Sequence, residues 1–231
     1  MEKAKQIFVG ALDQFSKLWM VILFLYAPIL LFFTILSMIS RTSGNITLSY
    51  FTRDISAIGG VPFFAGLVSQ LGGLLWSAAL AVCIFTYFIL KRQGTALSRR
   101  FLLHSAFLTG LLLFDDFYLF HEDIGPDYLN IGEKAIVLSY LLLCVLYLFI
   151  NFREILASEY LLLGLALAMF GMSIFIDAAD LEDLEEFGWF FSEQFQLFLE
   201  DGFKFVGVAT WLAYFARYGY QRVMTVKSRI S

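Results

Sequence analysis

Acidic side chains recur in this sequence inside stretches that are otherwise apolar. Asp115 and Asp116 lead into His121, Glu122 and Asp123. Asp177 follows Ser173 by four residues. Glu193, Gln196, Glu200 and Lys204 succeed one another at steps of three or four, with Asp201 beside Glu200. Such steps place side chains on one face of a helix. Ionisable groups are expensive in apolar surroundings, so each is a candidate for function. Carboxylates in this number cannot all remain charged together at low dielectric. They need a bound cation, the Lys204 ammonium or protons.

That requirement assigns the chemistry. Asp115, Asp116, Asp177, Glu200 and Asp201 are the expected ligands of a divalent cation. One histidine among many oxygens suits Ca²⁺, Mg²⁺ or Mn²⁺, or a carboxylate-rich Zn²⁺ site. His121 and Glu122 are expected as an additional ligand or general base, and Lys204 as the balancing charge. Glu200, four residues before Lys204, is the expected partner of that lysine. At ~1.5 Å per residue, Asp115 is expected about 8–9 Å below His121 along the helix. Other motifs are missing: there is no Glu-x-x-His pair and no H-E-x-x-H. Ser173 has no Gly-x-Ser-x-Gly setting, and a bond to its own helix backbone is the expected fate of its hydroxyl. The same acids would also suit a structural ion-pair network without chemistry. His104 reads as a satisfied histidine.

The elements that must position these groups follow from composition. The 231 residues are 60% hydrophobic, 18% aromatic and 16% charged, with a mean hydropathy of +0.77. Soluble domains are about 45–50% apolar and about 25% charged. A soluble enzyme and a disordered chain are excluded, and a pI near 5.2 excludes a nucleic-acid partner. Both cysteines, Cys83 and Cys144, sit in apolar runs, so no disulfide scaffold is implied. The fold class is all-α, a polytopic membrane bundle. Six segments approach the ~20 residues that cross a bilayer: 18–39, 67–90, 101–120, 135–150, 160–176 and 195–215. The expected organisation is an interfacial amphipathic helix over 1–17, the six-helix bundle over 18–216 and a basic tail over 217–231. With the N-terminus inside, inner segments hold twelve of the sixteen Lys and Arg residues. Only Arg41, Arg53 and Lys134 fall outside, so both termini are expected in the cytoplasm. Asn45-Ile46-Thr47 forms a sequon on the outer side, and Asp180 to Glu186 reads as a solvated acidic loop.

Asp116 to Glu122 (DFYLFHE), Ser173 to Asp177 (SIFID) and the acidic start of the last span resemble the ceramidase-like membrane hydrolases. That superfamily includes alkaline ceramidases and progestin/adiponectin-type receptors. The resemblance implies a metal-bound water hydrolysing a lipid amide, with Ser173, Asp177 and His121 at the site. The superfamily has seven helices and a three-histidine zinc site; this chain has six expected spans and two histidines.

Three functions are therefore expected in competition. The first is a cation-binding site at the outer leaflet that hydrolyses a lipid-like substrate with metal assistance. The second is a proton- or cation-coupled transporter, against which the scattered polar residues of the inner half, Ser69, Gln70, Ser77, Ser105, Thr109 and Ser139, form no continuous stripe. The third is a non-catalytic membrane assembly subunit. The expected partners are membrane lipid and either a second copy of the chain or another membrane protein.

Overall fold

The computed structural model describes residues 2–43, 51, 58–62, 64–91, 95–178 and 193–227. The sequon at Asn45, Arg53, the acidic run Asp180 to Glu186 and the side chains of the amphipathic face expected over 1–17 lie outside the described residues. The chain divides into two units, Met1–Ala65 and Gly66–Ser231. The first holds α1 (Glu2–Ser43), which carries Pro28 within it and runs unbroken past the boundary expected at residue 17.

The second unit holds the remaining elements. They are α2 (Leu67–Leu90), α3 (Ala96–Tyr118), a π-helical segment (Phe120–Tyr128), α4 (Glu133–Leu156), α5 (Tyr160–Ala178) and α6 (Glu193–Lys227). Among the described residues every regular element is helical. Four helices, α2 to α5, are long and apolar enough to cross a membrane, and α1 contains a shorter apolar stretch, Tyr26–Thr42. Together with the composition, these helices mark a membrane protein. α6 is longer but carries Glu200, Asp201 and Lys204 in its first half, and it continues through residue 217 as helix rather than tail.

Two kinds of helix contact build this unit. α5 packs on α6, α6 on α2, and α2 on α3, all closely. A Cβ at Gly207 would meet the Phe170 ring at 2.7 Å, so only glycine permits α6 to approach α5 this far. Trp76, Phe101, Trp211, Tyr214, Phe215 and Tyr218 fill the space between the helices. Trp76 stacks on Phe170 at 5.5 Å.

α3 and α4 meet differently, through a ladder of side-chain hydrogen bonds. Ser98 Oγ donates to Glu154 Oε1 at 2.7 Å. His104 Nδ1 and Asn151 Oδ1 lie 3.0 Å apart, and Ser105 Oγ and Tyr147 OH 2.8 Å apart. Tyr140 OH donates to Asp115 Oδ1 at 2.9 Å. The α4 members stand at 140, 147, 151 and 154, one helical stripe. Of the polar residues expected to be scattered, Ser105 alone belongs to this ladder; Thr109 accepts from Trp211 Nε1 at 3.0 Å, and Ser77 and Ser139 bond to their own helix.

The ladder ends at Glu154. One of its carboxylate oxygens accepts from Ser98, from Tyr218 OH at 2.5 Å and from Arg222 at 2.7 Å. The residue is 4% exposed. Thr95, the N-cap of α3, accepts from the Ser98 backbone N–H at 3.1 Å and so fixes where that helix begins.

Candidate functional site

The opposite end of α3 is shaped by one residue. Leu119 adopts left-handed backbone angles, φ 50° and ψ 46°, and its N–H bonds to the Asp115 carbonyl. This conformation costs an ordinary residue about 1–2 kcal/mol and stops the α-helix. The chain then winds as a wide π turn, with the Asp123 and Ile124 N–H groups bonded to the Leu119 carbonyl at 2.8 and 3.3 Å. His121 is thereby folded back onto Asp115. Its backbone N–H donates to Asp115 Oδ1 at 3.0 Å, and its Nδ1 lies 2.7 Å from Asp115 Oδ2. The separation of 8–9 Å expected for a continuous helix does not occur, because the helix ends first. Tyr140 completes the shell of Asp115, which is 7% exposed.

A carboxylate accepting at Nδ1 fixes the ring orientation and leaves Nε2 as the working nitrogen. Glu122 Oε1 lies 3.4 Å from that Nε2. The Asp115 hydrogen bond holds the imidazole pKa above its ordinary value, with burial opposing and Glu122 adding to the rise.

Lys204 does not pair with Glu200 as the spacing suggested. Its Nζ lies 2.6 Å from Asp116 Oδ1, across from α6 to α3. The Asp116 side chain is 11% exposed. A carboxylate so far out of water gains from an ammonium beside it, and a surface-type pair four residues apart is worth only about 0.3–0.5 kcal/mol. Glu200 is left within electrostatic range of Asp177, Asp201, Lys204 and Glu122. Among the described residues neither Glu200 nor Asp177 has a hydrogen bond or ion pair. No group of three or more His, Cys, Asp or Glu side chains among the described residues is close enough to hold a metal ion.

These side chains share a cavity of about 230 Å³. Asp115, Asp116, His121, Ser173, Asp177, Glu200 and Lys204 all line it. Residues expected from three separate segments are thus brought together. Two are set apart: Glu122 reaches the cavity only through His121, and Asp201 lines a water-sized space of about 30 Å³ with Ser69, Gly72, Asp116 and Lys204. The rest of the large cavity is apolar. Val137, Leu141 and Cys144 of α4 form one wall, and Leu167, Phe170 and Ile174 of α5 the other. α4 and α5 share no extended contact, although a short turn joins them.

Residues 20–218 match the model of a family described as a domain of unknown function, DUF8692. The chain belongs to that family. No curated protein and no solved structure matches it. The matched span covers every residue that lines the cavity, so the site of this DUF8692 chain lies wholly within the family's domain.

Three residues of the site escaped the sequence reading. Tyr140 holds Asp115, and Trp76 and Cys144 line the cavity. A signal for two of them existed: Tyr140 and Cys144 continue the helical stripe of Tyr147, Asn151 and Glu154. Trp76 Nε1 is buried without an acceptor, alone in this among the described side chains. Ser173 departs from expectation as well. Ser77, Ser105 and Ser139 bond to their own helix carbonyls. Ser173 is 6% exposed and makes no such bond, so its hydroxyl is left to the cavity that it lines.

Proposed function

We propose that this protein binds a lipid-like molecule in the cavity and hydrolyses it, with His121 as general base and Asp115 as the group that orients it. The observation that carries this reading is the Asp115–His121 pair at 2.7 Å, set in the polar end of an otherwise apolar cavity. An imidazole held at Nδ1 by a carboxylate presents Nε2 to a water or a hydroxyl. Ser173 and Lys204 line the same space and supply a hydroxyl and an ammonium toward the developing oxyanion. The resemblance to ceramidase-like hydrolases points to the same class of chemistry. In a metal-assisted form, Asp177 and Glu200 would be the residues to hold an ion, which would supply an activated water once the acids converged on it. In this proposal the chain crosses the membrane six times, α1 and α6 each counting as a span beside the four apolar helices, with the cavity toward the outer leaflet and both termini in the cytoplasm. The charge bias of the termini and connecting segments supports that orientation.

The test is release of fatty acid from long-chain esters and amides by the protein purified in an uncharged detergent. His121→Gln and Asp115→Asn are each expected to lower the rate by about 10²–10⁴-fold. Unchanged rates in both would remove His121 from the mechanism. Elemental mass spectrometry of the same sample decides the metal-assisted form, for which about one equivalent is expected and none would rule it out.

The α3–α4 ladder supports a second reading, transfer of a proton or cation between the cavity and the Glu154 end. Proteoliposomes test it: Tyr147→Phe should slow acidification driven by an imposed potential, and an equal rate would dismiss it.

A further inference from the structure

The cavity carries more negative charge than its own cations offset. Asp116 is paired with Lys204 at 2.6 Å, and Asp115 is engaged by His121 and Tyr140. Asp177 and Glu200 remain, each lining the cavity and neither ion-paired among the described residues, Lys204 being paired with Asp116. Two carboxylates that share one cavity, Asp177 exposed and Glu200 half-buried, repel each other until a cation or a proton joins them. A metal ion would need oxygens converging to about 2.0–2.6 Å, and the acids here are not grouped for that. An ammonium accepts a looser arrangement of carboxylates and a hydroxyl. Ser173 provides one, nine-tenths buried and without a bond of its own.

The remaining lining says what the ammonium is attached to. The α4 wall of Val137, Leu141 and Cys144 faces the α5 wall of Leu167, Phe170 and Ile174 across the gap where these helices diverge. A volume of about 230 Å³ is several times the ~30 Å³ share of one water molecule. It holds a head group and the first carbons of a chain, with the rest of the chain running out sideways between α4 and α5.

We propose that the cavity seats a single-chain amphiphile with an ammonium head, the head lying between Asp177 and Glu200 near Ser173 and the chain leaving between α4 and α5. This inference rests on the reading of the cavity as a lipid-like binding site and adds the charge of the head and the route of the chain.

The experiment measures displacement of a fluorescent dodecylammonium dye from the full chain in maltoside micelles, with empty micelles subtracted. The competitors are dodecylammonium, dodecanol, dodecanoate, methylammonium and Mg²⁺. Two variants accompany the wild type. Asp177→Asn with Glu200→Gln removes the charge at constant volume. Gly171→Phe fills the cavity from a position where an added Cβ meets nothing within 4 Å. Dodecylammonium is expected to compete at least tenfold better than dodecanol or dodecanoate, the advantage vanishing in the charge variant and the dye no longer binding to Gly171→Phe. Equal competition by all three twelve-carbon probes, with Gly171→Phe still blocking, would overturn the ammonium head and leave the lipid-like site standing. Dye binding unaffected by Gly171→Phe, or no binding at all, would overturn both. Displacement by methylammonium or Mg²⁺ as effective as by dodecylammonium would overturn the chain and leave a small-cation site.

Discussion

Glu154 and Glu200 are glutamates of the same helical unit, and their surroundings are opposite. Three donors from α3 and α6 converge on one oxygen of Glu154, and 4% of the residue is exposed. Glu200 and its neighbour Asp177 have no donor among the described residues and border open space. A carboxylate held by three protein donors is committed to the fold, and its removal damages it. A carboxylate without donors contributes little to the fold, and what it can bind must come from outside. Buried acid alone therefore does not mark a site; an acid that borders a cavity with unfilled bonding capacity does.

The comparison is broken or sharpened most strongly at Glu154. Glu154→Ala leaves Arg222 and Tyr218 without their acceptor and is expected to cost about 3–5 kcal/mol in denaturant unfolding. A loss below about 1 kcal/mol would show that water replaces the carboxylate, and the contrast with Glu200 would dissolve. Next in size is Lys204→Met, which strands the largely buried Asp116 carboxylate and should cost about 1.5–3 kcal/mol. The double variant with Asp116→Leu should recover most of that loss, because an apolar pair can replace an ion pair of similar volume. A double variant as unstable as the single one would mean that Lys204 supports the fold by packing rather than charge. Asp177→Asn and Glu200→Gln should each shift stability by no more than about 0.5 kcal/mol, while weakening binding to the cavity. A large destabilisation from either would make the two acid centres alike.

The smallest effect concerns Glu159, in the turn between α4 and α5. Arg217 donates to both its oxygens and Gln221 adds a bond at 2.7 Å, which holds the Glu159 carboxyl below the usual carboxylate range. A depressed folded-state value contributes stability above the unfolded value of about 4.3 and loses it as pH falls through the lowered value. Melting temperatures should therefore fall more steeply below about pH 4.3 in the wild type than in Arg217→Gln. Parallel curves would show that this exposed pair contributes nothing measurable.

Composition and helical period revealed the membrane class and the four apolar helices, because both are sums over many residues. The candidate acids were legible for a related reason: charge in an apolar run is conspicuous wherever it falls. What stayed hidden was single-residue geometry. Nothing in the letters around Leu119 announces a left-handed residue, since glycine is the usual occupant of that conformation. The fold-back of His121 onto Asp115 was hidden with it. The partner of Lys204 was hidden because spacing reports neighbours within a helix and Asp116 stands on another. The α4 stripe from Tyr140 to Glu154 was present in the sequence. Tyrosine and asparagine in an apolar helix are easily taken for isolated residues until the facing helix supplies Ser98, Ser105 and Asp115 in matching order.

That matching order bears on how the chain reaches the bilayer. α3 is the least apolar of the four spanning-length helices and α4 the most. Alone, α3 would present Ser98, Ser105 and the Asp115 carboxylate to hydrocarbon during insertion. Paired with α4 as an antiparallel hairpin joined through the π turn, it offers those groups to Glu154, Tyr147 and Tyr140 instead. The polar ladder lets the two helices enter an apolar phase as one pair, with the more apolar helix covering the polar face of the other.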